Sequence, residues 1–335
     1  MPVMSVEVAA AAFVFYFVLL LKSRKDKKKR KTWVRKFLEK GSVHGNLLVE
    51  ELRLDGAGFI NFLRMSTSDF EILLRMVAPK ISRKNTKYRK AITPDIRLAI
   101  TLRYFASGDS FTSLMYTFRI SKQTISTVVP EVCEALISAL KGYIKPLSLW
   151  IPATEDSRIR WVRPQMERST LYCIGAVDGK HVQMQASKSS GSLFFNYKGT
   201  HSIVFMACVN ADYQFIYADV GCQGRISDGG VFKYTSLHEK LEQIWLRLPP
   251  EQPLAEGRIP VPYLFVGDDA FALSRYLLKS FPGNLERSTP ERIFNYRLCR
   301  ARRIVENAFG ILSSKFSVFL KPIGLHPGKQ KQEGL

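Results

Sequence analysis

The sequence predicts an α/β domain built on a mixed β-sheet with flanking helices, preceded by an all-α N-terminal region. Apolar residues recur at three- and four-residue steps between residues 32 and 143, which is typical of amphipathic helices. Short apolar runs typical of strands dominate after residue 171. Because helical segments alternate with the later strands, we expect a mixed sheet rather than a wholly antiparallel one.

The helical region ends in three closely spaced segments. Thr93 and Pro94 make a favourable helix start, since a capping side chain precedes a proline in the first turn. The predicted helices are Arg97 to Ala106, Phe111 to Phe118, and a third that Ser121 opens and that runs to Leu140. This spacing predicts a helix-turn-helix-like unit, whose DNA-contacting residues would be Lys122, Gln123 and Thr124. An ordinary helical bundle is the alternative.

The second half of the chain carries the strand signals. The predicted strands are 171–177, 202–209, 213–220 and 261–266. Asn210 to Asp212 is the predicted turn of a hairpin between the second and third strands. Helices are predicted over 229–248, 270–280 and 290–314.

The chain is strongly basic. Its 335 residues include 50 Lys and Arg against 29 Asp and Glu, giving a net charge of +21. Such an excess favours a polyanionic partner, and DNA or RNA fits it better than a membrane surface. The five cysteines are isolated, which argues against a disulfide framework or a zinc finger and favours a reducing compartment.

The N-terminus combines an apolar run with a basic block. Val8 to Leu21 is apolar throughout but shorter than the roughly 20 residues that a membrane span needs. A signal peptide would carry its positive charge before the apolar run, whereas residues 22–31 carry it afterwards. A membrane anchor, a helix packed on the body and a gene-start artefact are the three interpretations. The basic block could be a nuclear-import signal, a phosphate-binding arm or a solvated face.

Three acidic residues indicate chemistry. Asp178 and Asp268 each follow a short apolar run, and Glu306 lies in a helical segment farther along the chain. Carboxylates at the ends of neighbouring strands meet at one edge of a sheet, where they can hold Mg²⁺ or Mn²⁺. Singly, each acid also has a structural explanation as a turn residue, a helix cap or an ion-pair partner. Together, in a basic chain, they predict a metal site acting on nucleic acid.

Five motifs make the second half resemble the PIF/Harbinger transposase superfamily and its domesticated nuclease-like relatives. They are Ile174-Gly-Ala-Val-Asp-Gly-Lys-His181, Ser190-Gly-Ser-Leu-Phe-Phe-Asn-Tyr-Lys-Gly199, Gly224-Arg-Ile-Ser-Asp-Gly-Gly-Val-Phe232, Val266-Gly-Asp-Asp-Ala-Phe271 and Val305-Glu-Asn-Ala-Phe-Gly310. With the helical region the resemblance covers about residues 32 to 320. It implies an RNase H-like fold, a divalent-metal cofactor (Mg²⁺ or Mn²⁺) and a DDE nuclease site of Asp178, Asp268 and Glu306.

The same resemblance suggests roles for residues around the three acids. Asp228 matches a further acidic position, as a metal ligand or, the option we favour, as support for a loop. Lys180, His181 and Lys198 are candidates for holding DNA phosphates, and solvated loop positions are the alternative. The family also implies DNA as substrate and a separate Myb-like DNA-binding partner. The basic block and the nucleic-acid chemistry favour a nuclear location, although the cytoplasm stays open.

The predicted organisation has five parts: 1–31 apolar and basic, 32–145 helical, 146–170 linker, 171–320 nuclease domain and 321–335 tail. We expect metal-dependent hydrolysis of DNA phosphodiesters. The alternative is a domesticated DNA-binding or adaptor protein that keeps the fold without cutting. The chain ends soon after Pro322, where the family continues with a further helix, and this favours the alternative.

Overall fold

The structure is a computed structural model that describes residues 36–38, 41–87, 90–141, 173–186, 191–243, 250–253 and 259–324, with residues 246 and 248. The predicted apolar run 8–21, basic block 22–31 and linker 146–170 lie outside these residues, as does the tail beyond residue 324. The chain divides into two units. One comprises Met1–Tyr143, Gln183–Gly191 and Leu312–Leu335, and the other comprises Ile144–Val182 and Ser192–Ile311.

The first unit is helical. After a 3-10 turn (Lys36–Leu38) it contains α1 (Gly41–Leu54), α2 (Gly56–Leu63), α3 (Thr67–Ile81), α4 (Pro94–Ser107), α5 (Phe111–Phe118) and α6 (Lys122–Leu140). The three predicted helices are confirmed in α4, α5 and α6. Thr93 precedes α4, but its side chain makes no capping hydrogen bond; its hydroxyl donates instead to Asn46 at 3.3 Å.

Helix α4 is the centre of this unit. Ten of its residues are buried and eight of these are apolar, as expected of a helix enclosed by others. Arg97 is an exception within this core, since its side chain is only 6% exposed and carries a charge. Glu131 of α6 accepts a hydrogen bond from it, and the exposed Arg83 joins the same carboxylate at 3.0 Å.

The second unit contains a five-stranded mixed sheet. Its strands are β1 (Cys173–Gln183), β2 (Ser202–Val209), β3 (Phe215–Gln223), β6 (Leu264–Val266) and β7 (Leu277–Leu278), in the order β3-β2-β1-β6-β7. β2 and β3 are the predicted antiparallel hairpin, whereas β6 is parallel to both β1 and β7. A separate two-stranded ladder joins β4 (Gln252–Pro253) to β5 (Pro260–Val261).

Both faces of the sheet are covered. Every residue of β2 is buried, which is expected of a central strand with helices on each side. Val204, Met206 and Cys208 share one core with residues of α7 (Asp228–Lys233) and α8 (Ser236–Glu242). Phe205 points to the opposite face, where its ring meets Phe309 of α9 (Pro290–Lys315) at 5.4 Å. Helix α9 confirms the long helix predicted over 290–314.

Two predicted helices are wrong. The segment 229–248 is broken at Thr235, whose hydroxyl caps α8, so α7 and α8 are separate short helices. The segment 270–280 forms a turn followed by β7. Its apolar spacing fits a helix, but Leu277 pairs with Phe265 in the sheet and Phe271 is buried in the core beneath it. Tertiary pairing therefore overrides the local pattern.

We predict that Glu131→Ala lowers the free energy of unfolding of the helical unit by about 3 kcal/mol, because it leaves the buried Arg97 charge without its partner. Arg83→Ala is the matched control, since it removes the exposed arm of the same ion pair and should cost less than about 1 kcal/mol. Urea unfolding followed by circular dichroism measures both. Equal losses for the two variants would show that burial does not set the cost.

Candidate metal centre

The register of β1 and β6 brings the first two predicted acids together. These strands are parallel, with Ala176 opposite Val266. Asp178 and Asp268 each lie two residues beyond that pair. Because side chains alternate with a period of two, both acids emerge on the same face. The sequence predicted that Asp178 lies at the end of a strand, but it lies within β1. The reason is that β1 continues beside β2 after β6 has stopped.

Asp228 joins these two acids from a helix. It is the first residue of α7, which begins at the cap Ser227. One carboxylate oxygen from each of Asp178, Asp228 and Asp268 can be chosen so that all three lie within 4.8 Å of one another. The Oδ1 atom of Asp228 is buried and has no hydrogen-bond partner. A buried carboxylate oxygen without a donor is costly, so this arrangement suits a cation that binds oxygen ligands.

Two glycines permit this close approach. A Cβ atom on Gly179 would lie 2.2 Å from Oδ1 of Asp228. A Cβ atom on Gly229 would lie 2.0 Å from the carbonyl oxygen of Ala270, in the turn that carries Asp268. Any larger residue would therefore push α7 or its acid away from the sheet.

Burial and the charge of Asp268 make the carboxyl groups of Asp178 and Asp228 hold protons unusually well. Burial raises the pKa of Asp178 to about 7, and the charges of Asp268 and Asp228 raise it as well. The hydrogen bond from the Gly179 N–H and the charge of Arg302 lower it, but by less. Burial also raises the pKa of Asp228 to about 6, with Asp268 adding to the effect and Lys198 opposing it. Near neutral pH this cluster therefore holds protons that a divalent cation can replace.

Glu306 lies on α9 and is paired with a neighbour. Its Oε1 accepts a hydrogen bond from Arg302 Nη2 at 2.9 Å, and its side chain is 49% exposed. Burial lowers the pKa of Arg302. The hydrogen bond to Glu306 and the charges of the three acids Glu306, Asp268 and Asp178 outweigh burial, so that the pKa is raised. Arg302 thus lies within electrostatic reach of the acids on the sheet. Among the described residues, Glu306 is not part of the three-acid group.

The three residues predicted to hold DNA phosphates are two lysines and a histidine near the acids. Lys180 follows Asp178 on β1, and burial together with the charge of Lys198 lowers its pKa. His181 is hydrogen-bonded through Nδ1 to the Ser202 hydroxyl at 2.9 Å, and burial and Lys198 lower its pKa too. Lys198 is exposed and acts electrostatically on Asp228. Two lysines near carboxylates suit a phosphate ester, whose oxygens the ammonium groups can hold.

The other predicted DNA contacts lie in the helical unit. Lys122 and Gln123 are exposed at the start of α6, while Thr124 is half-buried. The Thr124 hydroxyl shares a hydrogen bond with the Ser121 hydroxyl at 2.7 Å, and the Thr124 N–H donates to the same oxygen. The capping role of Ser121 explains why this helix begins here.

The sequence placed Asp228 near the site, as a metal ligand or as support for a loop, but did not predict that Arg302 reaches the acids. The run Ser227-Asp-Gly-Gly230 did carry a signal for Asp228, since a capping serine precedes the acid and two glycines allow close packing. Arg302 was considered only as a surface partner of Glu306, because its reach to Asp178 and Asp268 depends on how α9 lies against the sheet.

Comparison with known proteins gives one family and several distant relatives. A family model described as DDE superfamily endonuclease matches residues 177–332. A "Protein ALP1-like" of Arabidopsis thaliana is 23% identical over 273 residues, which covers 79% of this chain and 64% of the relative. Proteins named "Putative nuclease HARBI1" from Homo sapiens and Bos taurus are 23% identical over 256 residues, covering 73% of this chain and 64% of each relative.

The chain therefore spans slightly less than two thirds of the length of these curated relatives. No solved structure matches it significantly. Among the residues that the structure describes, no helix is both long and apolar enough to cross a bilayer.

We predict that Asp178→Asn changes how stability depends on pH. The pKa of Asp178 rises on folding from 3.8 to about 7, so its contribution to stability is present below pH 4 and is lost as pH rises through 7. In EDTA the wild type should lose stability, on the order of a few kcal/mol, between pH 5 and pH 8, and the variant should lose less. Thermal unfolding measured across this range tests it.

Mn²⁺ should stabilise the wild type at pH 8 more than it stabilises the variant. It should raise the unfolding temperature of the wild type but hardly that of Asp178→Asn. Asp269→Asn is the matched control, because Asp269 adjoins Asp268 but is exposed and outside the acidic group. It should behave as the wild type does. If Asp178→Asn lost as much stability as the wild type between pH 5 and pH 8, the assignment of this pKa to Asp178 would be wrong.

We further predict that Gly179→Ala weakens metal binding by at least about tenfold without unfolding the protein. The three atoms nearest to the added methyl group all belong to the Asp228 side chain. That side chain can rotate away, but its carboxylate then leaves the cluster. Gly310→Ala on α9 is the control, since nothing lies within 4 Å of its added Cβ. Calorimetric Mn²⁺ titration measures the affinity. Unchanged affinity in Gly179→Ala would show that Asp228 is not a ligand.

Proposed function

We propose that this chain, whose residues 177–332 belong to the DDE superfamily of endonucleases, is a metal-dependent DNA endonuclease of the Harbinger transposase type. The domain match, with relatives named as HARBI1 nucleases, confirms the family resemblance drawn from the motifs. One observation carries the proposal: Asp178, Asp228 and Asp268 converge, and a buried oxygen of Asp228 has no partner in the protein.

The donor set fits a hard divalent cation such as Mg²⁺ or Mn²⁺. All three groups offer carboxylate oxygen, and no thiol or imidazole joins them in the described part of the chain. Asp178, Asp228 and Asp268 would hold the ion, and Glu306 is the further ligand that the family resemblance implies. When bound, such an ion lowers the pKa of water and stabilises charge on the phosphate oxygens.

The surrounding residues contribute binding and proton control. Lys180 and Lys198 are placed to hold non-bridging phosphate oxygens of the DNA strand. His181 is fixed by the Ser202 hydroxyl, and its lowered pKa leaves it neutral at pH 7, so it serves as a hydrogen-bonding group. Asp178 and Asp228 give up protons as the site is loaded.

Further parts of the proposal rest on the family resemblance. We assign an RNase H-like fold to the nuclease domain of about 171–320, which the mixed sheet order β3-β2-β1-β6-β7 supports. The helical region 32–145 would act as a helix-turn-helix-like DNA contact through Lys122, Gln123 and Thr124. The basic charge supports a nuclear protein that works with DNA and, as in relatives of this kind, with a Myb-like partner.

A second function has one observation in its favour. Glu306 is half exposed, is paired with Arg302 and is not one of the three grouped acids in the described part of the chain. A domesticated adaptor that binds DNA without cutting it would show this arrangement permanently. The adaptor and the nuclease differ in one measurable property, which is cleavage by protein that binds DNA normally.

We predict that the purified chain cleaves supercoiled and linear DNA in Mg²⁺ or Mn²⁺. Asp178→Asn and Asp268→Asn should each lower the cleavage rate by at least about 100-fold, because each removes charge that holds the ion. Asp269→Asn, which changes the neighbouring exposed carboxyl, should retain cleavage. Agarose-gel assays with matched DNA-binding measurements provide the readout.

Glu306→Gln and Asp228→Asn complete this series. Loss of cleavage in both would make all four acids part of the site. Cleavage that survives Asp178→Asn would disprove the site. Wild-type protein that binds DNA but never cuts it would favour the adaptor.

A further inference from the structure

A rigid turn lies beside the acids, between β1 and β2. Asn196 is buried and organises it: Asn196 Oδ1 accepts hydrogen bonds from the Lys198 N–H, the Thr200 N–H and the Thr200 hydroxyl at 3.0 to 3.2 Å. Its Nδ2 donates to the Ser202 hydroxyl at 2.8 Å, and that hydroxyl is also bonded to His181. Side-chain bonds therefore fix the turn to the strand that carries Asp178.

This turn displays an aromatic ring to solvent. Tyr197 is 81% exposed although its backbone is held in place. Its ring meets the His181 ring edge-on at 5.5 Å, and Lys198 Nζ lies 5.3 Å from its centroid. Phe195 is also exposed and packs against His201. Two exposed aromatic rings on one turn, one of them beside a lysine, offer flat faces on which a nucleobase can stack.

The charges nearby identify the chemistry of that partner. Lys198 stabilises the charged form of Asp228 and acts on both Lys180 and His181, so the turn borders the acidic group. An aromatic face next to cations is the combination that binds single-stranded nucleic acid, where bases stack on rings and cations hold phosphates. In an intact duplex the base faces are covered, so the ring can reach only an unpaired or extruded base.

We propose that Tyr197 stacks on an unpaired nucleobase next to the phosphodiester at the acidic group, while Lys198 holds a neighbouring phosphate. The nucleotide at the cleavage position is then single-stranded, or is extruded from the duplex when the DNA binds. This inference rests on the proposed function for its location, but stacking itself requires only that the chain binds DNA.

The experiment compares three fluorescent DNA probes by anisotropy in Ca²⁺, with the DNA verified as intact. The probes are a forked duplex with a single-stranded arm, the same fork with abasic residues in the arm, and a fully paired duplex. Tyr197→Ala should lose about tenfold in affinity for the fork and almost nothing for the paired duplex. Tyr197→Phe should stay within about twofold of the wild type, since it keeps the ring.

Two controls make the result specific. Tyr234→Ala removes an equally exposed tyrosine, 80% accessible, from the same unit and should bind every probe as the wild type does. Lys198→Ala should weaken binding to all probes and reduce the salt dependence by about one phosphate contact. Abasic residues in the arm should lower the affinity of the wild type for the fork by the same factor of about ten. They should not lower the affinity of Tyr197→Ala further, because that variant already lacks the ring on which a base would stack.

Equal losses for Tyr197→Ala on the normal and abasic forks, or no loss on either, would overturn the inference. The stacking inference and the proposed endonuclease function can fail independently, because DNA binding tests the first and DNA cleavage tests the second. Protein that prefers the fork through Tyr197 but never cuts DNA would keep the stacking site and exclude the endonuclease.

Discussion

The second unit is organised around the cost of holding three carboxylates within 4.8 Å of one another and partly out of water. Burial, with the charges of neighbouring acids, raises the pKa of Asp178 to about 7 and that of Asp228 to about 6. Without a compensating cation the fold would be more stable with apolar residues at these positions. The features around the acids are best understood as means of tolerating that cost.

Backbone geometry supplies most of those means. The parallel pairing of β1 with β6 sets Asp178 beside Asp268, and β6 stops early so that Asp268 lies in a turn. The Gly229 backbone then lets the first turn of α7 approach that turn, and Gly179 leaves space for the Asp228 carboxylate. The hydrogen bond from the Ala270 N–H to Asp268 Oδ1, 2.9 Å long, fixes the second acid.

The sequence predicts the features that depend on local pattern. The hairpin of β2 and β3, helix α9 and the three helices from Pro94 to Leu140 follow from periodicity and capping residues. The prediction of a helix over 270–280 is wrong because the apolar spacing suits a helix, whereas the pairing of Leu277 in the sheet determines the structure. The position of Asp228 could not be derived from pattern, since its approach depends on how α7 meets a turn 40 residues later. The apolar run 8–21 remains a prediction.

The position of Glu306 does not oppose a role in metal binding. Its bond to Arg302 spans one helical turn and is half exposed, and such pairs contribute only about 0.3 to 0.5 kcal/mol. A divalent ion among three carboxylates would outweigh that amount many times over. The charge of Arg302, which acts on Asp178 and Asp268, partly neutralises the acids in the absence of metal. Arg302 therefore serves as an internal counter-ion to these acids.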